Sequence, residues 1–301
     1  MEVYAPASIA NLGPGFDVFG LALDGIGDFF KLSIIKEKTL SISVNGLGAD
    51  SIPSDAIRNS AGTVLKYIYE SRGLSHGFHA EIIKGIPPGR GLGSSGASAA
   101  AAAYAVNKLL NLGLAKGELV KLAALGEAAV SGSAHADNVS ASLLGGFVIV
   151  DFDYDVVRLE PPNIRIVIAV PEIVYEAKTK LARSLLPESV RLKEAVLNVG
   201  KASRMAAAVA LKDSTLFGRS ICDKLVEPFR AKIIPNFWRV KEKALDAGAL
   251  GCSIAGGGPS VFAVGEDLEE IGNAMSEAFE EAGVKCSTYF TKPSVEGVRV
   301  I

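Results

Sequence analysis

The chain has 301 residues, 49% of them hydrophobic and 21% charged, which is the makeup of an ordinary globular protein with mass for two domains of typical size. Basic and acidic residues nearly balance at a formal net charge of −2, so composition argues against a polyanionic partner and no nucleic-acid binding is expected. Cys222, Cys252 and Cys286 are widely spaced, odd in number and form no CxxC pair, which argues against a disulfide framework or a zinc site and for a reducing, cytoplasmic setting.

In chain order, the N-terminus from Met1 to Pro6 carries no basic n-region or apolar h-region, and the alanine run 99–103 is too short for a bilayer, so neither an export signal nor a membrane anchor is expected. Residues 29–35, 40–44 and 78–83 are rich in β-branched and aromatic residues and predict strands. Between the last two, 57–72 sets Ala61, Val64, Leu65 and Ile68 at helical spacing and stops before Gly73. A turn-rich stretch, 85–96, runs directly into an alanine-rich helix ending near Leu110, and a second helix covers 118–130. A small-residue turn at 131–138 leads into an apolar helix and then a strand at 146–151; Pro161-Pro162 marks a boundary between segments 1–160 and 161–301.

Beyond that boundary the pattern predicts a strand at 164–170, two helices within 174–211 broken at Pro187, and helices at 214–223 and 236–247. The tail reads strand (250–254), Gly-rich turn (255–260), strand (261–264), helix (268–282), strand (285–291) and a short strand at 298–301. Helices mixed with antiparallel hairpins predict an α+β fold rather than a doubly wound sheet.

The junction at 85–96 is the most informative point. Glycines 89, 91, 93 and 96 let the backbone reach φ > 0 and approach a ligand, so that successive N–H groups can line one concavity at the positive end of the following helix, an arrangement suited to phosphate. Ser94 and Ser95 add hydroxyls for phosphate or metal. No lysine lies between Lys84 and Lys108, which excludes a Walker A loop; Gly91 to Gly96 fits GxGxxG, but a helix rather than an acid-tipped strand follows, against dinucleotide binding. Taken by itself, such a turn could equally serve close packing.

The string Pro87-Pro88-Gly89-Arg90-Gly91-Leu92-Gly93-Ser94-Ser95-Gly96, followed by Ala97, resembles the nucleotide motif of GHMP kinases, commonly Pro-x-x-x-Gly-Leu-Gly-Ser-Ser-Ala, with Gly96 in place of the usual alanine. Residues 5–20, containing Ala10-Asn11-Leu12-Gly13-Pro14-Gly15-Phe16-Asp17, resemble the first GHMP motif in the form found in homoserine kinases. Ala255-Gly256-Gly257-Gly258-Pro259-Ser260 is similar to the C-terminal Ser-Gly-Ser-Gly-Pro-Ser turn, with Ala255 and Gly257 where serines are commoner. Glu127, His135-Ala136-Asp137-Asn138, Arg183 and Glu227-Pro228-Phe229-Arg230 follow in the family's order, so the resemblance spans nearly the whole chain.

The resemblance implies an N-terminal domain like the second domain of ribosomal protein S5, holding the nucleotide, a C-terminal ferredoxin-like domain, and an active site between them. It also implies ATP-dependent phosphorylation of L-homoserine to O-phospho-L-homoserine in threonine biosynthesis, in a possible homodimer. Phosphoryl transfer is mostly positioning and charge neutralisation, and Mg²⁺ accepts hard oxygen ligands; the resemblance nominates Ser95 and Glu127 for the metal. Alone, Glu127 reads as a solvated helix face, but no other charge lies within 123–130. For the acceptor, the resemblance nominates Asn11, Asp17, His135 and Asn138. Asp137 falls where mevalonate kinases carry a catalytic Asp, and its role here stays open; read alone, the 135–138 string is a polar helix cap. Arg183 and Arg230 match the family's two arginines, whose planar forks suit the substrate carboxylate, and Asn59 is a candidate for the adenine pocket. The competing readings are another GHMP kinase, of the mevalonate or shikimate type, and an S5-like RNA-binding module, which the absent basic patch opposes.

Overall fold

In the computed structural model, which describes residues 1–132, 136–173, 175 and 178–301, the chain opens with a long antiparallel hairpin of β1 (Glu2–Asn11) on β2 (Gly15–Ile35). The register shifts between Pro6 and Ser8, where proline has no N–H for the ladder. The sequence pattern reveals only the distal part of β2 and none of β1. Ala5, Ala7, Ser8 and Ala10 are weak strand formers, and complete burial between neighbouring elements overrides that weakness.

β3 (Leu40–Gly46) is joined through α1 (Ser60–Ser71) to its parallel neighbour β4 (Gly77–Lys84). Asn59 caps α1: its Oδ1 accepts from the N–H groups of Ala61 (3.0 Å) and Gly62 (3.3 Å). After the phosphate-type loop come α2 (Ser94–Leu109), α3 (Lys116–Ser131) and α4 (Ala136–Leu144), then β5 (Phe147–Val150) and β6 (Val156–Leu159), a pair that extends the first sheet from β2. Helix α2 is buried all round because alanines 97, 99–103 and 105 let α1, α3, α4 and the first hairpin approach on every side.

The second half contributes β7 (Ile166–Pro171), α5 (Lys178–Ser184), α6 (Leu192–Leu211), α7 (Ser214–Ser220), α8 (Glu227–Arg230), α9 (Phe237–Asp246), β8 (Gly251–Ile254), β9 (Val261–Val264), α10 (Leu268–Glu280), β10 (Cys286–Thr291) and β11 (Arg299–Val300). Strands β10-β7-β9-β8 form an antiparallel sheet with α9 and α10 as the intervening helices, which is the expected ferredoxin-like succession. β7 is buried on both faces: Ile166, Ile168 and Val170 join the core shared with the first sheet, and Val167 and Ala169 join the core under α9 and α10. The α+β, two-domain organisation expected from the sequence is therefore observed. The last strand, which a division at residue 160 assigns to the second half, pairs with β1 (Val3 opposite Val300) and ties the end of the chain into the first sheet. Among the described residues no helix is long and apolar enough to cross a membrane.

Candidate active site

A cleft of ≈ 650 Å³ is lined by the 88–96 loop, the turns after β1, the first turns of α2 and α4, and residues of α3, α5 and α8. Gly89, Gly91 and Gly93 adopt φ of 68°, 83° and 68°, as the phosphate-loop reading requires. Their roles differ. A Cβ on Gly89 would meet nothing within 4 Å, so this position is open to a ligand. At Gly91 a Cβ would come within 2.2 Å of the Ala255 carbonyl oxygen, and at Gly93 within 2.2 Å of Ser8 Oγ and 2.9 Å of Asn138 Oδ1. These two glycines thus join the loop to the rest of the site, and the space a Cβ would fill there belongs to protein atoms.

Gly93 is the N-cap of α2 and offers no side chain to its first N–H groups, which leaves this helix end suited to an anion. The cleft is reached from Pro88 through Gly96 except at Arg90 and Leu92. The Arg90 guanidinium turns away, donating to the carbonyls of Pro171 (3.1 Å) and Ile173, and Leu92 is buried with its carbonyl accepting from Ser8 N–H at 3.1 Å. Pro87 and Ala97 do not line the cleft. Asn59 does, with its carboxamide committed to the α1 cap and to the Pro53 carbonyl (2.8 Å).

Ser95 and Glu127 meet at the cleft: Ser95 Oγ donates to Glu127 Oε1 at 2.9 Å. Glu127 is only 5% exposed because α3 lies close to α1, an approach that Gly126 permits; a Cβ there would sit 2.5 Å from the Ser60 carbonyl oxygen. Ser60 Oγ in turn donates to the Ser95 carbonyl at 2.9 Å. Among the described residues no group of three or more His, Cys, Asp or Glu is placed to hold a metal; Ser95 and Glu127 bring one hydroxyl and one carboxylate, both hard oxygen donors, together at the cleft.

The other nominated residues converge from four segments. Where β1 passes into β2, Asn11, Leu12 and Asp17 take φ of 70°, 50° and 55°, a cluster of left-handed non-glycine residues of the kind held by surrounding structure at ligand sites. Asn11 Nδ2 donates to the Gly256 carbonyl (2.9 Å), as does Arg230 Nη1 (3.0 Å), while Asn11 Oδ1 accepts from Asp17 N–H (3.0 Å). Arg183 Nη2 pairs with Asp17 Oδ2 at 2.8 Å. Both guanidiniums face the Phe16 ring, Arg230 at 5.1 Å and Arg183 at 5.9 Å from its centroid. Burial, and then the like charge of Arg183, hold Arg230 below the usual arginine range, against the opposing pull of Asp17. The Nε atoms of both arginines are buried without a partner among the described residues.

Asp137 and Asn138 open α4. Asp137 Oδ1 accepts from Asn138 N–H (2.7 Å), and Asn138 Oδ1 accepts from Ser8 Oγ (3.0 Å). Their position depends on Gly20 of the first motif, where a Cβ would lie 2.3 Å from the Asp137 carbonyl oxygen. His135 lies outside the described residues. Sequence reasoning missed Phe16 as a common platform for the two arginines, and missed a buried ion pair under the loop, between Lys84 and Asp28. The available signal for the pair was a lysine closing the strand that enters the loop.

The fold and this cleft define a small-molecule phosphotransferase, and comparison with known proteins gives its family. The descriptions "GHMP kinases N terminal domain" and "GHMP kinases C terminal" match residues 59–146 and 205–281, and the chain belongs to the GHMP kinases. Within that family it is 44% identical over 303 residues to a homoserine kinase of Methanocella arvoryzae (100% of this chain, 97% of the relative). It is 41% identical to one of Pyrococcus abyssi (97% and 96%). A crystal structure of homoserine kinase from Cytophaga hutchinsonii superposes with a TM-score of 0.92 at 40% identity, covering 100% of this chain and 97% of that one. Mevalonate kinase of Methanococcus jannaschii, at 17% identity and a TM-score of 0.71, shares the fold.

Proposed function

We propose that this chain is a homoserine kinase, transferring the γ-phosphoryl group of ATP to the side-chain hydroxyl of L-homoserine to form O-phospho-L-homoserine for threonine biosynthesis in the cytoplasm. The observation that carries the choice of acceptor is one charge cluster of the cleft, beside Phe16, where the exposed carboxylate of Asp17 lies with two guanidiniums, Arg183 and Arg230. It matches the ammonium and carboxylate of a zwitterion, whereas mevalonate and shikimate offer a carboxylate alone. Both side chains of the Asp17–Arg183 pair are 35% exposed, so the pair is partly screened by solvent and weak, and an incoming amino acid can exchange with it charge for charge. The relatives named homoserine kinase at 40–44% identity support the same acceptor.

In this reading the loop 88–96 and the first N–H groups of α2 cradle the triphosphate, and Asn59 stands at the nucleotide side. Asn11, His135 and Asn138 hold the amino acid, and Asp137 with Asn138 orients its hydroxyl toward the terminal phosphorus. Ser95 and Glu127 would hold Mg²⁺, which when bound neutralises charge on the transferring phosphates. An assay coupled to ADP release, run with and without L-homoserine and against mevalonate and shikimate, tests the proposal. Homoserine-dependent release is expected; equal or greater release with either other alcohol would overturn the choice of acceptor.

A further inference from the structure

A phosphate loop without its own lysine still stands over a cation. Lys84 closes β4 at the entrance to the loop, is 3% exposed, and forms an ion pair with the wholly buried Asp28 of β2. Among the described residues its other hydrogen bonds go to the start of α2: Nζ donates to the Ser94 carbonyl at 3.0 Å and to Ser98 Oγ, one turn further on, at 3.0 Å. Asp28 is equally committed, its Oδ1 accepting from Gly85 N–H and Ile86 N–H at 3.0 Å each. The two side chains therefore join the strand, the start of the loop and the start of the helix in one network, at the edge of the cleft that Lys84 and Ser98 help to line. Burial raises Asp28 and lowers Lys84, each opposed by the other's charge.

A buried ion pair is weak grounds for stability, because apolar replacements of similar volume often fold as well or better. The fold alone therefore does not explain this pair, whereas its contacts with both sides of the loop do. We propose that Lys84, oriented by Asp28, is a positioning residue for nucleotide binding: it fixes the start of α2 so that its N–H groups converge on the phosphates. Ser98 belongs to the same brace. The proposal rests on the reading of the loop as the triphosphate cradle, and the experiment separates the two.

Lys84→Met alone would strand the Asp28 carboxylate and risks misfolding. The informative variant is Asp28→Asn combined with Lys84→Met, which keeps the Oδ1 acceptor for Gly85 and Ile86 and leaves no unpaired charge. ATP and ADP binding are measured by calorimetry, melting temperature by scanning, and homoserine KM by the coupled assay, on wild type and variant. The expected result is a melting temperature near wild type, a homoserine KM within about twofold, and a Kd raised roughly tenfold or more for ATP and ADP alike, as expected for losing a charge-assisted contact. Ser98→Ala, which strands no charge, gives the same signature at about threefold. A double variant that binds both nucleotides like wild type would reduce the pair to a structural element and overturn the brace. Loss confined to ATP, with ADP unaffected, would mean that Lys84 touches the terminal phosphate, and would overturn it too. If wild type itself binds no ATP, the reading of the loop fails and takes the brace with it.

Discussion

Ser95 Oγ and Glu127 Oε1 are 2.9 Å apart although they come from different helices, one opening α2 at the phosphate loop and the other deep in α3. The carboxylate is held in a nearly closed site by the close approach of α3 to α1 at Gly126, so its charge has a use other than solubility. Glu127→Gln keeps the hydrogen bond to Ser95 and removes only the charge. The expected outcome is an unchanged melting temperature, kcat lower by about 10²-fold, and a higher Mg²⁺ requirement, the size of the loss following from several kcal/mol of transition-state charge stabilisation. A rate unchanged at limiting magnesium would remove Glu127 from the metal site.

The loop glycines separate by what their missing Cβ atoms face. Both glycines sit at φ 68°, so an alanine at either costs about 1–2 kcal/mol for the left-handed conformation. Gly89→Ala otherwise adds a methyl to open cleft, so ATP KM should rise while homoserine KM stays near wild type; Gly93→Ala in addition pushes on Ser8 Oγ and Asn138 Oδ1. It should lower the melting temperature and raise both KM values together. Steady-state kinetics with each substrate varied decides; a pure ATP effect at Gly93 would contradict the packing described above.

The phosphate loop and α2 were legible because glycines precede an alanine helix in contiguous residues, whereas the two arginines were nominated only through the family resemblance, since neither has a local signal that sets it apart from surface charge. The first hairpin was not legible, since Ala5, Pro6, Ala7, Ser8 and Ala10 are chosen for close packing and look nothing like a strand. Nor was the Lys84–Asp28 pair, whose members lie 56 residues apart and meet only through the register of β2 on β4. The same limit applies to Gly91: sequence explains its freedom at φ > 0, but only the fold reveals that the Ala255 carbonyl occupies the space beside it.

Cys252 gives a pH prediction with a definite sign. It is fully buried in the core beneath α9, and burial pushes its thiol up to about 12. In the unfolded chain the thiol ionises near about 8.5, so above that pH the unfolded state loses a proton that the folded state keeps, and stability falls as pH rises. By pH 10 the loss is about 2 kcal/mol from this group. Cys252→Ala should therefore melt at a temperature that declines less between pH 8 and 10 than wild type does. Parallel declines would mean that the folded thiol ionises with its ordinary affinity.

Arg230 carries the most discriminating prediction, because the proposed function assigns it to the acceptor and not to the nucleotide. It is 5% exposed, stacked on Phe16 and anchored to the Gly256 carbonyl, with the Nε edge lacking a partner, so a carboxylate arriving there meets a cation already desolvated and oriented. Removing one member of such a pair typically costs about 2–5 kcal/mol, roughly 30-fold to several thousand-fold in binding. Arg230→Ala should raise homoserine KM by that factor and leave the ATP Kd within about twofold, since the residue shares no contact with the loop except through Gly256. The variant should also lose its preference between homoserine and the amino alcohol that lacks the carboxylate, whereas Phe16→Leu, which keeps both charges and loses the ring face, should reduce that preference only in part. The comparison is kcat/KM for the two acceptors in wild type and each variant. If Arg230→Ala discriminates between them as strongly as wild type, the carboxylate is read elsewhere, and Arg183, whose side chain already pairs with Asp17, becomes the residue to replace next.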